Sequence, residues 1–179
     1  GYYLSVTNKE VIIAGADEEG LFYGVQTLLG SVAEGKLECC TVTDWPDVPF
    51  RGTVEGFYGT PWSHEARLSQ IEFYGRNKMN VYIYGPKDDP YHRGQWRKPY
   101  PDAEAKRIQE LNECAQRNGV NFYWAIHPGV DIKWNDADRD ALVAKLEKMY
   151  DLGIRSFAVF FDDIWGEGAK GDKQAELLN

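Results

Sequence analysis

Four short apolar runs recur between Arg51 and Phe161, each followed by a loop, with helix-spaced segments between them. That alternation leaves few architectures open. Gly52 to Phe57, Asn80 to Tyr84, Asn121 to Ile126 and Ser156 to Phe161 read as strands rich in β-branched and aromatic residues. Between them, Ser63 starts a helix running to about Lys78, and a second helix spans Asp102 to Arg117. A third runs from about Asp136 to Asp151, with Leu142, Leu146 and Met149 on one side. Consecutive βα units imply an α/β fold of parallel strands with helical crossovers. An open doubly wound sheet and a (β/α)8 barrel both fit. Glu55-Gly56-Phe57-Tyr58-Gly59 after the first strand is not a G-x-G-x-x-G phosphate loop. Long aromatic-rich loops, such as Gly85 to Pro101, favour a barrel whose site lies at its C-terminal face. A whole TIM barrel needs roughly 250 residues, so the expectation is its first half only.

Ahead of Trp45-Pro46-Asp47-Val48-Pro49 the pattern differs. Tyr2 to Thr7 and Glu10 to Ala14 read as two strands joined by a turn at Asn8-Lys9. Asp17 then caps a helix carrying Leu21, Phe22, Val25, Leu28 and Leu29, which ends at Gly30. One hairpin and one helix are too little for an independent core. Residues 1–46 are therefore expected to be the tail of a small α+β domain, and residues 47–179 the first four βα units of the barrel. The opening Gly1-Tyr2-Tyr3 reads as a chain cut from something longer.

The net charge of −8 argues against a nucleic-acid partner, which needs a cationic face. It gives no reason to expect an anionic membrane surface, and no transmembrane run is present. Cys39, Cys40 and Cys114 make no disulfide framework, because the count is odd and adjacent cysteines bridge only with strain. Their redox state is left open. No metal-ligand spacing occurs, and neither metal nor cofactor is expected.

If the strands are parallel, their C-terminal ends converge on one mouth: Glu55 to Gly59, Gly85-Pro86-Lys87-Asp88-Asp89, His127-Pro128-Gly129 and Asp162-Asp163. The last pair carries the most chemistry. Its bland reading is a polar strand end or a helix cap. Its functional reading is a carboxylate pair in which close like charges split the ionisations, leaving one acid protonated and the other anionic. Both can serve one ligand only if the strand is already turning there, since successive strand residues face opposite ways. Glycoside cleavage uses such a pair, but adjacency is awkward for a carboxylate nucleophile and suits a substrate that supplies its own. Composition alone makes Lys87 a surface ion-pair partner of Asp88 and Asp89; the sharper reading is a donor to substrate hydroxyls. Gly56 fits either a simple turn or a close backbone approach. His127 reads first as a rigid-turn residue before Pro128, and second as a residue lining the site, since strand-end residues do so in barrels. Trp62, Trp96, Trp134 and Trp165 read first as packing, and Cys114 as core.

Together these motifs resemble the family 84 glycoside hydrolases, the bacterial and animal O-GlcNAcases. Arg51-Gly52-Thr53-Val54-Glu55-Gly56-Phe57-Tyr58-Gly59-Thr60-Pro61-Trp62 is similar to that family's first-strand signature, and Asn80 to Asp89 to its second-strand motif. Ala125-Ile126-His127-Pro128-Gly129-Val130-Asp131-Ile132 and Phe157 to Ile164 resemble the third and fourth. Residues before the barrel resemble the end of the small domain that precedes it in bacterial members. The resemblance implies a retaining exo-β-N-acetylglucosaminidase in which the substrate's acetamide oxygen attacks its own anomeric carbon, giving an oxazoline. By position, Asp162 would hold the acetamide N–H. Asp163 would protonate the departing oxygen and then deprotonate water. The Gly56 carbonyl and Lys87 would bind sugar hydroxyls. The partner implied is an N-acetylglucosamine-containing glycan or glycoprotein, with the rest of the barrel supplied by another segment or chain. Bacterial members would place it in the periplasm or outside the cell. Because further sugar-binding residues come from later strands, this stretch alone is expected to be weakly active or inactive. An endo-acting hyaluronidase, a non-catalytic carbohydrate-binding or assembly fragment, and a metal-dependent hydrolase built on the doublet are the competing readings.

Overall fold

The computed structural model describes residues 1–179 and contains two separate sheets. The first is antiparallel, in the order β2-β1-β3: β1 (Tyr2–Val6) lies between β2 (Val11–Gly15) and β3 (Cys40–Asp44). The helix α1 (Glu18–Gly30) starts at Asp17, whose carboxylate accepts a hydrogen bond from the Gly20 N–H. Its Tyr23 packs with Tyr2, Leu4 and Val6 in a small core. The expected hairpin and helix are therefore joined by a third strand. Cys40-Thr41-Val42-Thr43-Asp44 is short, mostly polar and an edge, so it carries no apolar run to announce it.

The second sheet is parallel, and its order β4-β5-β6-β7 follows the sequence without reversal. Its strands are β4 (Gly52–Glu55), β5 (Val81–Tyr84), β6 (Asn121–Ile126) and β7 (Ser156–Val159). The helices α2 (His64–Arg76), α3 (Asp102–Arg117) and α4 (Asp136–Asp151) form the crossovers, and α5 (Gly171–Leu178) follows β7. Ser63 and Asn135 cap α2 and α4 through their side-chain oxygens. No helix is long and apolar enough to cross a membrane.

Strand parity decides where the core sits. Register aligns Thr53 with Tyr82, Tyr82 with Phe122, Tyr84 with Trp124, Trp124 with Phe157 and Ile126 with Val159. On that face Tyr82, Tyr84, Phe122, Trp124 and Ile126 pack against Ile71, Tyr74, Ile108, Leu111, Cys114, Leu142 and Met149 in one cluster. The opposite face carries the row Val54, Ile83, Tyr123 and Ser156. Phe160, beyond β7, folds over the same face, and its Cε2 would lie 2.6 Å from a Cβ at Gly85 and 3.9 Å from one at Gly56. Gly85 thus makes room for the ring.

Two strands of the parallel sheet stop short of the sequence reading. β4 stops at Glu55 rather than Phe57, and β7 at Val159 rather than Phe161. The apolar character of Phe57, Phe160 and Phe161 comes from packing after the ladder ends: Phe57 meets Trp62 edge-on at 5.5 Å, and Phe161 stacks on Trp134 at 6.0 Å. One ladder-like bond continues to the Phe160 N–H, which donates to the Ile126 carbonyl at 2.7 Å.

Candidate active site

Parity carries Phe160 and Asp162 to the helix-free face, while Phe161 turns outward toward Trp134 and Gly129. Asp163 then adopts φ +52°, a left-handed backbone uncommon outside glycine. This is the turning strand end that two adjacent carboxylates need in order to share one ligand. Lys87, from the loop after β5, reaches both: its Nζ lies 2.5 Å from Asp162 Oδ2 and 3.5 Å from Asp163 Oδ2. The Tyr58 hydroxyl, from the loop after β4, donates to Asp163 Oδ2 at 2.8 Å, and the Lys87 ammonium sits 5.1 Å from the Tyr58 ring. Loops following three different strands meet at the doublet.

The lysine side chain is only 8% exposed, whereas the two carboxylates are 50% and 53% exposed. A mostly buried cation thus points two open acids at solvent. Partial burial pushes the Asp162 carboxyl up, but the hydrogen bond and charge of Lys87, with His127 behind it, outweigh burial and hold it below the ordinary carboxylate value. Gly56, Val54, Phe160 and Asp162 line a hollow of about 410 Å³ on the same face. A Cβ on Gly56 would meet only ordinary contacts, the nearest being Val54 Cγ1 at 3.4 Å, so space does not force glycine there.

Lys87 does not pair with its sequence neighbours, contrary to the composition-based reading. Asp88 is exposed, and Asp89 is buried and occupied elsewhere. Asp89 accepts from the Tyr84 and Tyr100 hydroxyls at 2.9 and 2.7 Å, and from the Tyr91 and His92 N–H groups at 2.8 and 3.2 Å. It is the organiser of the loop from which Lys87 projects. Glu55 does not join the mouth either. Its carboxylate lies on the helix side, where Arg67 binds it through Nε and Nη2 at 2.8 Å each, alongside the Tyr82 hydroxyl and the Trp62 N–H.

His127 is fully buried beneath the doublet, and its Nε2 lies 2.8 Å from the main-chain oxygen of Asp162. It does stand at the turn after β6, and its strand-end position, the signal for the alternative reading, brings it under the doublet. Trp62, Trp96 and Trp134 contribute to packing, but Trp165 is 86% exposed two residues beyond Asp163, which corrects the packing reading for that ring. Tyr58 was within the mouth motif but unassigned. No group of three or more His, Cys, Asp or Glu is arranged to hold a metal ion.

Residues 51–179 match the family described as beta-N-acetylglucosaminidase, and residues 1–45 match domain 2 of glycosyl hydrolase family 20. The protein O-GlcNAcases of Rattus norvegicus and Mus musculus are each 40% identical over 124 residues, covering 69% of this chain and 14% of theirs. The solved structure of CpGH84B is 48% identical, with a TM-score of 0.94, over 99% of this chain and 32% of that one. A mutant of the Thermobaculum terrenum O-GlcNAc hydrolase is 36% identical, with a TM-score of 0.67, over 73% of this chain and 30% of that one. This sequence therefore spans a third or less of each relative's length. With both its motifs and its backbone matching these hydrolases, the chain belongs to the beta-N-acetylglucosaminidase family, family 84 of the glycoside hydrolases.

Proposed function

We propose that this chain supplies the acid–base end of a retaining exo-β-N-acetylglucosaminidase that works through an oxazoline. The reading rests above all on one observation: two adjacent carboxylates share a single buried ammonium unequally, with Asp162 tied closer than Asp163. The more tightly held Asp162 is the standing anion, suited to accept the acetamide N–H and to balance the positive charge that grows on that group as its oxygen attacks the anomeric carbon. Asp163 carries the proton to the departing oxygen and then takes one from water. Lys87 and the Gly56 carbonyl bind ring hydroxyls. Neither aspartate has to form a glycosyl bond, which suits their adjacency.

In this reading residues 47–179 are the first four units of a (β/α)8 barrel, a view supported by the unreversed parallel strand order, and residues 1–46 close a preceding α+β domain. The substrate is a glycan or glycoprotein ending in β-linked N-acetylglucosamine. The test is made in the full chain with aryl β-N-acetylglucosaminides of graded leaving-group acidity. Asp163→Asn should slow poor leaving groups far more than good ones, and the first sugar released by the parent enzyme should have the β configuration. Release of the α anomer, or an Asp163→Asn variant with unchanged turnover of every substrate, would refute it.

A further inference from the structure

We propose that His127 is a positioning residue for Asp162, fixing the main chain at the doublet through the Nε2–H bond to the Asp162 carbonyl. The inference deepens the proposed function and rests on the role given there to Asp162. The segment it holds has few other restraints. After the Phe160 N–H bond to Ile126, residues 161–164 make no backbone–backbone hydrogen bond, and the left-handed Asp163 adds backbone strain at that point. Asp162 leaves the strand at a place where the ladder no longer sets its direction.

His127 fills that gap from below. A carbonyl can only accept, so the contact at 2.8 Å places the ring proton on Nε2. The same nitrogen lies 3.4 Å from Asp162 Oδ1. Nδ1 is buried with no partner. The ring therefore makes one direct hydrogen bond, and it is to the doublet. A fully buried imidazole with half its polar capacity unmet is costly as mere filling, and holding the catalytic turn gives that cost a purpose.

The ring is itself fixed from the neighbouring loop. The His127 N–H donates to the His92 carbonyl at 2.8 Å, and the two rings meet edge-on at 6.2 Å. The His92 N–H is held by Asp89, two residues past Lys87. One buried run of contacts thus sets both the lysine loop and the Asp162 carbonyl, so the two charges of the site share a common base.

The test compares His127→Leu, His127→Gln and His127→Asn in the full chain. Glutamine can place an N–H where Nε2 stands, whereas asparagine is polar but too short. His127→Leu and His127→Asn should lower kcat by about a hundredfold, the scale of a misplacement of about 1 Å, with KM little changed. His127→Gln should recover most of that loss. The loss should be equal for good and poor leaving groups, as for Asp162→Asn and unlike Asp163→Asn. Adding His127→Leu to Asp162→Asn should cost little more, because one residue acts through the other. If Asp162→Asn behaves as the proposed function requires but His127→Leu and His127→Asn retain parental kcat, the positioning role is wrong. It is equally wrong if glutamine is no better than asparagine, or if the His127 and Asp162 effects multiply. If Asp162→Asn itself leaves turnover untouched, the proposed function fails first and this inference falls with it.

Discussion

Glu55→Gln should destabilise the parallel-sheet region by roughly 3 kcal/mol, the lower end of the cost of breaking a buried ion pair by removing one partner. Glu55 is 1% exposed and accepts hydrogen bonds from both Arg67 nitrogens, the Tyr82 hydroxyl and the Trp62 N–H. Glutamine keeps the shape but presents an NH2 to a set of donors, so at least one buried donor loses its acceptor. The Arg67 side chain, itself only 13% exposed, loses its counter-charge. For a chain of this size, 3 kcal/mol corresponds to a fall in Tm of about 6–12 °C. The assay is urea and thermal unfolding of Glu55→Gln, Arg67→Met and the double variant. Arg67→Met removes the stranded cation, so the double variant should be clearly more stable than the two single losses predict when summed. Because Glu55 directly precedes Gly56 and the loop bearing Tyr58, activity should decline at temperatures where the variant is still folded. A Glu55→Gln variant within about 1 kcal/mol of the parent, or strictly additive losses, would refute the reasoning.

Lys145 is buried with its ammonium 4.3 Å from the Tyr100 ring, donating to the Lys98 carbonyl, and burial pushes its pKa down to about 8. The unfolded chain, with an ordinary lysine near 10.5, binds the extra proton between those values, so stability should rise with pH from about 8 to 10.5. That rise is at most on the order of 3 kcal/mol and should vanish in Lys145→Met; urea titrations giving a pH-independent difference between the two proteins would refute it. Lys87→Met removes the ammonium that holds the Asp162 carboxyl low. The acidic limb of kcat/KM should therefore move to higher pH, besides the loss of turnover, and an unmoved limb would count against Asp162 as the working anion.

The alternation of strand and helix was legible because each buried strand is a contiguous apolar run between polar loops, as in Val81-Tyr82-Ile83-Tyr84. The doublet and Lys87 were legible as members of motifs at strand ends. Their partners were not. Asp89 sits two residues from Lys87, yet a buried tyrosine pair claims it, and only the folded loop reveals that. Glu55 looked like a mouth residue because strand parity cannot be counted until the strand end is known; β4 stops at that residue, and its side chain falls on the helix side. β3 was missed because its hydrogen bonds come from pairing with β1, a long-range effect that Thr-Val-Thr signals only weakly.

The left-handed backbone at Asp163 governs how the doublet can be probed by substitution. Asparagine tolerates that conformation at least as well as aspartate, whereas alanine there carries a penalty of roughly 1–2 kcal/mol. Asp163→Ala would combine a lost acid with a turn that swings toward extended backbone and drags Asp162 with it. Asp163→Asn removes the proposed proton donor and leaves the turn in place. Asparagine is thus the substitution that isolates proton transfer, and the shortfall of alanine relative to asparagine measures how far catalysis depends on the shape of the chain at that one residue.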